Sequence, residues 1–263
     1  MKNFKLHKGM SLIEILVVIA TSTILMGILL PSLNIARQQA KRTVCLNNLR
    51  QMATAANTYT IDNDGHFPLA YKTEKVNGVR RFISWDFTTW KDWSEEEPVD
   101  HVESGLLWMG QTIGKVQQCP SFSGSANWLS DPHTGYNYNT SYIGINESIQ
   151  PANSTRIIEV KSPTQTVLFG DGEYTGGANK FMRSPFASQR DLSFADSDRY
   201  AGAQGFRHMH STNISFCDGH VDSKKELFTS TDPAGQEILE EYNETHNDKI
   251  GFLSSDNKPY DLK

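Results

Sequence analysis

The sequence has few cysteines and lacks the short motifs that mark the commonest enzyme classes. Its 263 residues include three cysteines and no Cys-x-x-Cys pair, so zinc ribbons and thioredoxin-like redox sites are excluded. There is no phosphate-binding Walker loop, no dinucleotide-binding glycine pattern and no Gly-x-Ser-x-Gly nucleophile turn. Because no nucleophile occurs in a recognisable setting, we predict that the protein is not an enzyme.

The chain also lacks an excess of basic residues. Lys and Arg number 25 against 30 Asp and Glu, which gives a formal net charge of -5. Removing the lysines at positions 2, 5 and 8 leaves 22 basic side chains and a net charge of -8. Nucleic-acid binding requires a basic face that neutralises phosphates, so we expect no nucleic-acid partner.

Long apolar runs are scarce too, and the single one lies near the N-terminus. It extends from Met10 to Leu30, and as a helix it would measure about 31 Å, the thickness of the hydrocarbon core of a bilayer. Lys2, Lys5 and Lys8 precede it with no acid before Glu14, so the positive-inside rule keeps the N-terminus cytoplasmic. We predict a single pass through the inner (cytoplasmic) membrane and a C-terminal domain that is periplasmic or extracellular.

One acidic side chain interrupts the apolar run. An ionised Glu14 costs about 2.5 to 3.5 kcal/mol at mid-bilayer, so it needs a partner of opposite charge. A plain membrane anchor leaves Glu14 unexplained. A secretory signal peptide would place a small-residue cleavage site after the apolar core, but Pro-Ser-Leu-Asn-Ile-Ala-Arg follows at positions 31–37. Glu14 therefore indicates a function beyond anchoring.

The run Gly-Met-Ser-Leu-Ile-Glu at positions 9–14, followed by the apolar helix and Pro31, resembles the leader and methylation segment of type IV prepilins. The resemblance implies that a prepilin peptidase cuts after Gly9 and that Met10 becomes the N-methylated mature N-terminus. It implies that Glu14 meets the N-terminal amine of a neighbouring subunit during assembly. The implied partners are other pilin-like subunits, the prepilin peptidase and inner-membrane lipid.

The helical pattern continues beyond Pro31 with a narrower apolar stripe. Its members recur at steps of four and three, which places them on one face of a helix: Cys45, Leu49, Met52, Ala56 and Tyr59. The pattern stops at positions 62–65, where Gly65 can take the left-handed conformation of helix ends. We predict a basic leader over 1–9, one helix over 10–64 with a transmembrane part over 10–30, and a globular domain over 65–263.

The globular domain reads as a mixture of short strands and loops. Two hydrophobic runs, 166–172 and 212–222, each end in a carboxylate beside glycine and predict strands. Between Phe67 and Gln118, which we call the Trp-rich part, we expect short strands, loops and a brief helix near 104–113. From Leu227 onward we expect a peripheral helix with a mobile tail. The predicted fold class is α+β and pilin-like, with the N-terminal helix packed on an antiparallel sheet of about four to six strands.

The three cysteines would lie in an oxidising compartment if the domain is exported. One disulfide with one free thiol, or three buried thiols, both agree with the number of cysteines. We favour a disulfide between Cys45 and Cys119, because Cys45 lies on the helix stripe and Cys119 precedes Pro120 in a loop. Spacing alone does not decide the pairing.

The C-terminal region carries a cluster of His and Asp residues. His208 stands nine residues before Asp218-Gly219-His220, and this His-x9-Asp-Gly pattern resembles the C-terminal element of a large group of prepilin-like proteins. A hairpin turn and the strand ending at Asp171 would let His208, Asp218, His220 and Asp171 hold a divalent cation. Alternatively, Asp218 closes a turn and accepts hydrogen bonds from backbone or His, which ties the hairpin to the sheet.

Together these features predict a prepilin-like or pseudopilin-like structural subunit of a type IV pilus or type II secretion filament. The alternative is an anchored or exported binding module that recognises a glycan or another surface ligand. It would use Trp85, Trp90, Trp93 and the region of His208 and Asp218. A metal-dependent enzyme is a more remote third reading. The feature that separates the first two is Glu14, which a simple anchor does not require.

Overall fold

The structure is a computed structural model of the chain. It describes residues 11–92, 99–109, 114–126, 131–145, 154–188, 191 and 196–263. The predicted leader, with the processing residues Gly9 and Met10, and the Trp93 side chain lie outside the described residues. The chain divides into two compact units, Met1–Ala40 and Lys41–Lys263.

The N-terminal helix α1 extends from Leu12 to Asp62 and continues through Pro31. It ends as predicted. The Gly65 N–H donates to the carbonyl of Thr60 over 2.8 Å, and Gly65 has a φ of 82°. A residue without Cβ takes this left-handed conformation at little cost, so Gly65 closes the last turn of the helix.

In the first unit most side chains of α1 from Leu12 to Leu30 are apolar and exposed. The exposed fraction is 82% at Leu12, 65% at Ile24 and 61% at Leu30. This part of the helix is long and apolar enough to cross a membrane. Such a surface needs lipid or another protein to cover it, because soluble monomers rarely expose a contiguous apolar patch of this size.

In the second unit, α1 buries the stripe that the sequence predicts. Cys45, Leu49, Met52 and Ala56 are fully buried, whereas Tyr59 is half-buried. The four fully buried side chains form one hydrophobic cluster with core residues of the globular domain. Burying a Leu or Met side chain contributes about 1.5 to 3 kcal/mol, so this stripe fixes the position of Cys45 against the domain.

The described part of the chain contains a second helix and eleven short strands. In chain order they are β1 (Tyr71–Val76), β2 (Val79–Ser84), β3 (Phe87–Asp92), β4 (Val99–Ser104), β5 (Asn137–Asn139), β6 (Val167–Gly170), β7 (Phe181–Met182), β8 (Gln204–Gly205), β9 (Thr212–Phe216), β10 (Val221–Lys224), α2 (Pro233–Thr245) and β11 (Ile250–Gly251). The α+β class is therefore confirmed.

The strands form two main sheets rather than the single sheet that was expected. β1 to β4 make an antiparallel meander that pairs in chain order. The second sheet has the order β10-β9-β6-β5-β7, and β8 pairs separately with β11. The second sheet is antiparallel except for β5 and β7, which pair in parallel. The predicted antiparallel arrangement therefore holds for the described strands, with this one parallel pair as the exception.

The Trp-rich part contributes to the core. Trp85 is 1% exposed, and its ring centroid lies 5.2 Å from that of Phe169. Trp90 lies on the first sheet, where the Arg81 guanidinium sits 4.2 Å from its ring centroid. Aromatic burial of this kind supplies a large apolar area, so the commonest reason for clustered tryptophans, packing, applies to Trp85.

Two predictions for loop regions are corrected. Within the helix predicted near 104–113, the described residues form a single 3₁₀ turn, Leu106–Trp108. The segment after α2 is packed rather than a mobile tail, since Ile250, Phe252 and Tyr260 are fully buried. The Tyr260 hydroxyl accepts a hydrogen bond from the N–H of Leu253 over 2.9 Å, which holds the end of the chain against the second sheet.

Candidate metal centre

Four side chains that can ligate a metal meet inside the globular domain. Cys45 comes from the buried stripe of α1, and Cys119 follows the 3₁₀ turn Lys115–Gln117. Asp171 directly follows β6, and His208 precedes β9. All four are buried, with exposed fractions between 0% and 2%. The cluster therefore connects four separate segments of the chain.

The backbone at each segment fixes these side chains. The Cys119 N–H donates to the carbonyl of Thr134 over 3.0 Å, which holds the loop. The Asn213 N–H of β9 donates to the Asp171 carboxylate over 2.7 Å. His208 closes a tight turn with Ser211 through two backbone hydrogen bonds of 3.0 and 3.2 Å. The pairing of β6 with β9 thus brings Asp171 and His208 to the same place.

The turn between His208 and Ser211 is locally strained. Met209 and His210 have φ values of 55° and 60°, in the left-handed region that glycine usually occupies. A non-glycine residue pays about 1 kcal/mol or more for this conformation. Strained backbone persists only where the surrounding structure enforces it, and here the strain orients His208 toward the cluster.

The ligand atoms lie close together. Cys45 Sγ is 3.0 Å from Asp171 Oδ1, and Cys119 Sγ is 3.5 Å from His208 Nε2. His208 Nε2 is 3.4 Å from Asp171 Oδ2. All four ligand atoms lie within 4.8 Å of one another. A group of two sulfurs, one imidazole nitrogen and one carboxylate oxygen at this spacing could hold a metal ion.

A buried arginine adjoins the cluster. Arg207 Nε donates to Cys119 Sγ over 3.3 Å, and its Nη2 lies 3.4 Å from Asp171 Oδ1. Its Nη1 donates to Glu173 Oε2 over 2.9 Å, and the backbone carbonyl of Gly135 accepts a further hydrogen bond. A charged side chain is rarely buried unless it is paired. The contacts just described supply Arg207 with such partners.

The two thiols of the cluster differ in how easily they ionise. Burial opposes ionisation of Cys119, but the hydrogen bond from Cys45 and the charge of Arg207 hold the pKa of Cys119 well below its ordinary value. Burial raises the pKa of Cys45, and the hydrogen bond to Cys119 raises it further. The surroundings therefore shift the pKa values of the two thiols in opposite directions, and Cys119 is the easier of the two to ionise.

The carboxylate and the imidazole form a second charged pair. Burial opposes ionisation of Asp171, but Arg207 and His208 lower the pKa of Asp171 below its usual range. Burial also disfavours a charge on His208, but its hydrogen bonds to Asp171 and Cys119 raise the pKa of His208 to about 9. The four side chains and Arg207 thus form a network of polar and charged groups closed off from solvent.

The structure divides the four metal ligands predicted from the sequence into two pairs. His208 and Asp171 meet in the buried cluster, whereas Asp218 and His220 pair with each other on an exposed turn over 2.6 Å. The strand β9 lies between His208 and Asp218, and its five residues span about 17 Å at ~3.3 Å per residue. His208 and Asp218 therefore lie at opposite ends of β9, and the alternative in which Asp218 closes a turn agrees with this position.

Cys45 and Cys119, the two cysteines that the sequence reasoning paired, lie close together. Cys45, Cys119 and Cys217 are all buried free thiols. Cys45 and Cys119 share the cluster, whereas Cys217 lies in the turn after β9. The predicted disulfide between Cys45 and Cys119 remains a prediction. The sequence reasoning did not identify these cysteines as metal ligands, and it gave Arg207 no role.

A buried amide links the helix to the Cys119 loop. Asn48 lies one helical turn after Cys45, and its Nδ2 donates to the Tyr136 hydroxyl over 3.1 Å and to the Gln118 carbonyl over 3.3 Å. Each such hydrogen bond contributes about 0.5 to 1.5 kcal/mol, and an unsatisfied buried partner adds to the loss. Asn48 therefore helps to hold Cys45 and Cys119 at a fixed distance from each other.

We expect Asn48→Ala to lower the free energy of unfolding by about 1 to 3 kcal/mol, because two buried acceptors lose their donor. The matched control is Asn47→Ala, since Asn47 lies beside Asn48 on the same helix, is less buried, and the substitution changes helix propensity equally. Thermal unfolding of the full-length chain in mild detergent measures both. Equal melting temperatures for the two variants would show that Asn48 has no such role.

The chain matches no protein-family model, no curated protein and no solved structure. The class that the fold and the cluster define is therefore an α+β domain with an N-terminal helix able to cross a membrane and a buried group able to hold a metal ion.

Proposed function

We propose that this chain is a prepilin-like or pseudopilin-like structural subunit of a type IV pilus or type II secretion filament. In this proposal the peptidase cuts after Gly9, Met10 is N-methylated, and the domain after the helix lies outside the cytoplasm. The observation that carries it is Glu14, a single carboxylate in the first turn of an otherwise apolar and exposed helix segment. The role is structural rather than catalytic.

The local geometry at Glu14 supports the proposal. The Glu14 carboxylate accepts a hydrogen bond from the Ser11 N–H over 2.7 Å, at the end of the helix where backbone N–H groups have no helical partner. The positive end of the helix dipole also favours a carboxylate here. A new amine at Met10 would lie one residue before Ser11, so the mature N-terminus and Glu14 would place opposite charges at one end of each helix.

The exposed apolar segment supports assembly as well as insertion. Helices that leave the membrane together bury their side chains against one another, and the opposite charges of Glu14 and a neighbour's amine would pair in a medium of low dielectric. Leu12, Ile13 and Leu16 flank Glu14 with exposed fractions of 82%, 73% and 58%. These side chains surround the charged pair with apolar contacts in the proposed filament.

The binding-module alternative has less support. Trp85 and His208 are 1% and 2% exposed, so neither reaches a ligand at the surface without rearrangement. Trp90 is half-buried beside Arg81, and Asp218 pairs with His220. A glycan surface built from these residues would therefore lose two of its proposed members.

The proposed processing is tested by the mass of the mature N-terminus in native membranes. We expect loss of the first nine residues and one methyl group on Met10. Gly9→Ala should leave the leader attached, because the peptidase requires glycine at the cleavage position in the family that this leader resembles. The control is Gly27→Ala, since an added methyl group at Gly27 meets nothing within 4 Å. An unprocessed wild-type chain as the stable form would contradict the proposal.

A further inference from the structure

The buried cluster has the composition of a structural zinc site. Thiolate sulfur and imidazole nitrogen are ligands that zinc prefers, whereas calcium and magnesium require oxygen ligands. Cys45, Cys119, Asp171 and His208 supply four donors, the number that a closed structural zinc site uses. No donor position is left for a substrate, which argues for a structural ion rather than a catalytic one.

Two distances between donor atoms match those of a tetrahedral zinc site. With Zn–S bonds of ~2.3 Å and Zn–N and Zn–O bonds near 2.0–2.2 Å, neighbouring ligand atoms lie about 3.3 to 3.8 Å apart. Cys119 Sγ to His208 Nε2 is 3.5 Å, and His208 Nε2 to Asp171 Oδ2 is 3.4 Å. Cys45 Sγ to Asp171 Oδ1, at 3.0 Å, must lengthen by about half an ångström.

The neighbouring charges also fit. Two thiolates and one carboxylate carry one negative charge more than a divalent ion neutralises, and Arg207 places a positive charge beside Cys119 and Asp171. Arg207 Nε already donates to Cys119 Sγ over 3.3 Å, and the Asn213 N–H donates to Asp171 over 2.7 Å. Such contacts around the ligands orient them and tune the affinity for the metal.

We propose that Cys45, Cys119, Asp171 and His208 bind one zinc ion, which fastens α1 to the second sheet at the point where the helix enters the domain. This inference does not depend on the filament role. It replaces Asp218 and His220 of the sequence-based ligand set with the two cysteines. A disulfide between Cys45 and Cys119 would use the same sulfur atoms, so the disulfide and the zinc site exclude each other.

The test uses the full-length chain, purified in mild detergent without chelator or reductant. Elemental mass spectrometry measures zinc per chain, and a thiol assay after denaturation with chelator counts free cysteines. We expect one zinc per chain and three free thiols. Metal-free protein with three thiols, or with one thiol and a disulfide, would overturn the proposal.

Variants locate the ion. Cys45→Ser and Cys119→Ser should lose the bound zinc, whereas Cys217→Ser should keep it, because Cys217 is a buried thiol outside the cluster. Zinc retained in Cys45→Ser and Cys119→Ser, or lost in Cys217→Ser alone, would contradict the assignment.

Cobalt exchange tests the ligands without any substitution, in case the cysteine variants fail to fold. The wild-type chain is stripped with chelator and loaded with Co²⁺. A thiolate-to-cobalt charge-transfer band together with the intense ligand-field bands of a tetrahedral site is the expected spectrum. A cobalt spectrum without the charge-transfer band would exclude cysteine ligands and overturn the proposal.

Discussion

Glu14→Ala is expected to leave processing after Gly9 intact and to abolish normal filament assembly. Without the carboxylate, the N-terminal ammonium of a neighbouring subunit would be buried among apolar helices with no partner. An unpaired charge in hydrocarbon costs about 2.5 to 3.5 kcal/mol on insertion scales, which lowers the equilibrium constant for adding each subunit roughly 70- to 400-fold. The subunit should therefore accumulate in the membrane as processed, unassembled protein.

The measurement separates processing from assembly. The mature N-terminus is read by mass spectrometry of the membrane fraction, and filaments are counted by electron microscopy of sheared material. Two controls match the substitution: Thr23→Ala changes another polar side chain of the same helix segment, and Glu74→Ala removes an exposed acid of β1. Both controls should assemble. Normal filaments from Glu14→Ala would remove the central argument for the filament role.

Local signals explain why the helices and one hairpin could be read from the sequence. The apolar residues of the stripe that contains Cys45 and Leu49 recur every three or four positions. Because residues at this spacing share one face of a helix, the pattern alone predicts that they are buried together. The hairpin of β9 and β10 likewise follows from a hydrophobic run and the turn at Gly219. Asn77-Gly78 is an equally strong signal, with φ values of 50° and 86° typical of a two-residue hairpin turn, and it joins β1 to β2.

The metal cluster could not be derived in the same way because its contacts are distant in sequence. Cys45 and Asp171 are separated by 126 positions, and Arg207 and Cys119 by 88. Spacing rules describe ligands within one turn or hairpin, and they led the sequence reasoning to pair His208 with Asp218. The pairing of β6 with β9 instead brings His208 close to Asp171, and no short-range sequence signal specifies that pairing.

The division into two sheets could not be predicted from the sequence either. Each strand of the second sheet is five residues or shorter, and β5 and β7 have only three and two. So short a strand carries too little alternation to show which neighbour it pairs with, and the parallel contact of β5 with β7 is set by tertiary packing. The packed C-terminal segment has the same explanation, since buried Tyr260 follows a run of polar residues that indicates a loop.

Arg207→Met is expected to destabilise the domain more than any other substitution considered for the globular part. Methionine retains most of the volume, so the loss isolates the charge. Asp171 and Glu173 would then remain in the interior without their counter-ion, and breaking a buried ion pair in this way costs about 3 to 5 kcal/mol. For a domain of this size the melting temperature should fall by roughly 6 to 20 °C.

The matched control is Arg81→Met. Arg81 Nη1 lies 3.8 Å from Glu103 Oε2, but the two side chains are 32% and 60% exposed. Solvent screens such a pair, so the change should stay within about 1 kcal/mol, or roughly 4 °C. Both variants are measured as full-length chains in the same detergent, by the near-ultraviolet circular dichroism to which buried Trp85 contributes.

A second substitution distinguishes lost charge from lost packing. If the penalty of Arg207→Met comes from uncompensated carboxylates, adding Glu173→Gln removes one of them and should recover part of the melting temperature, because the neutral amide is less costly to bury. Burial already raises the pKa of Glu173, and Arg207 opposes that rise. Glu173 is therefore the carboxylate that is most easily made neutral. Arg207→Met melting like Arg81→Met would show that the buried arginine does not hold the cluster together. If the double variant melts at the same temperature as Arg207→Met, the loss of stability comes from lost packing against Phe122 instead.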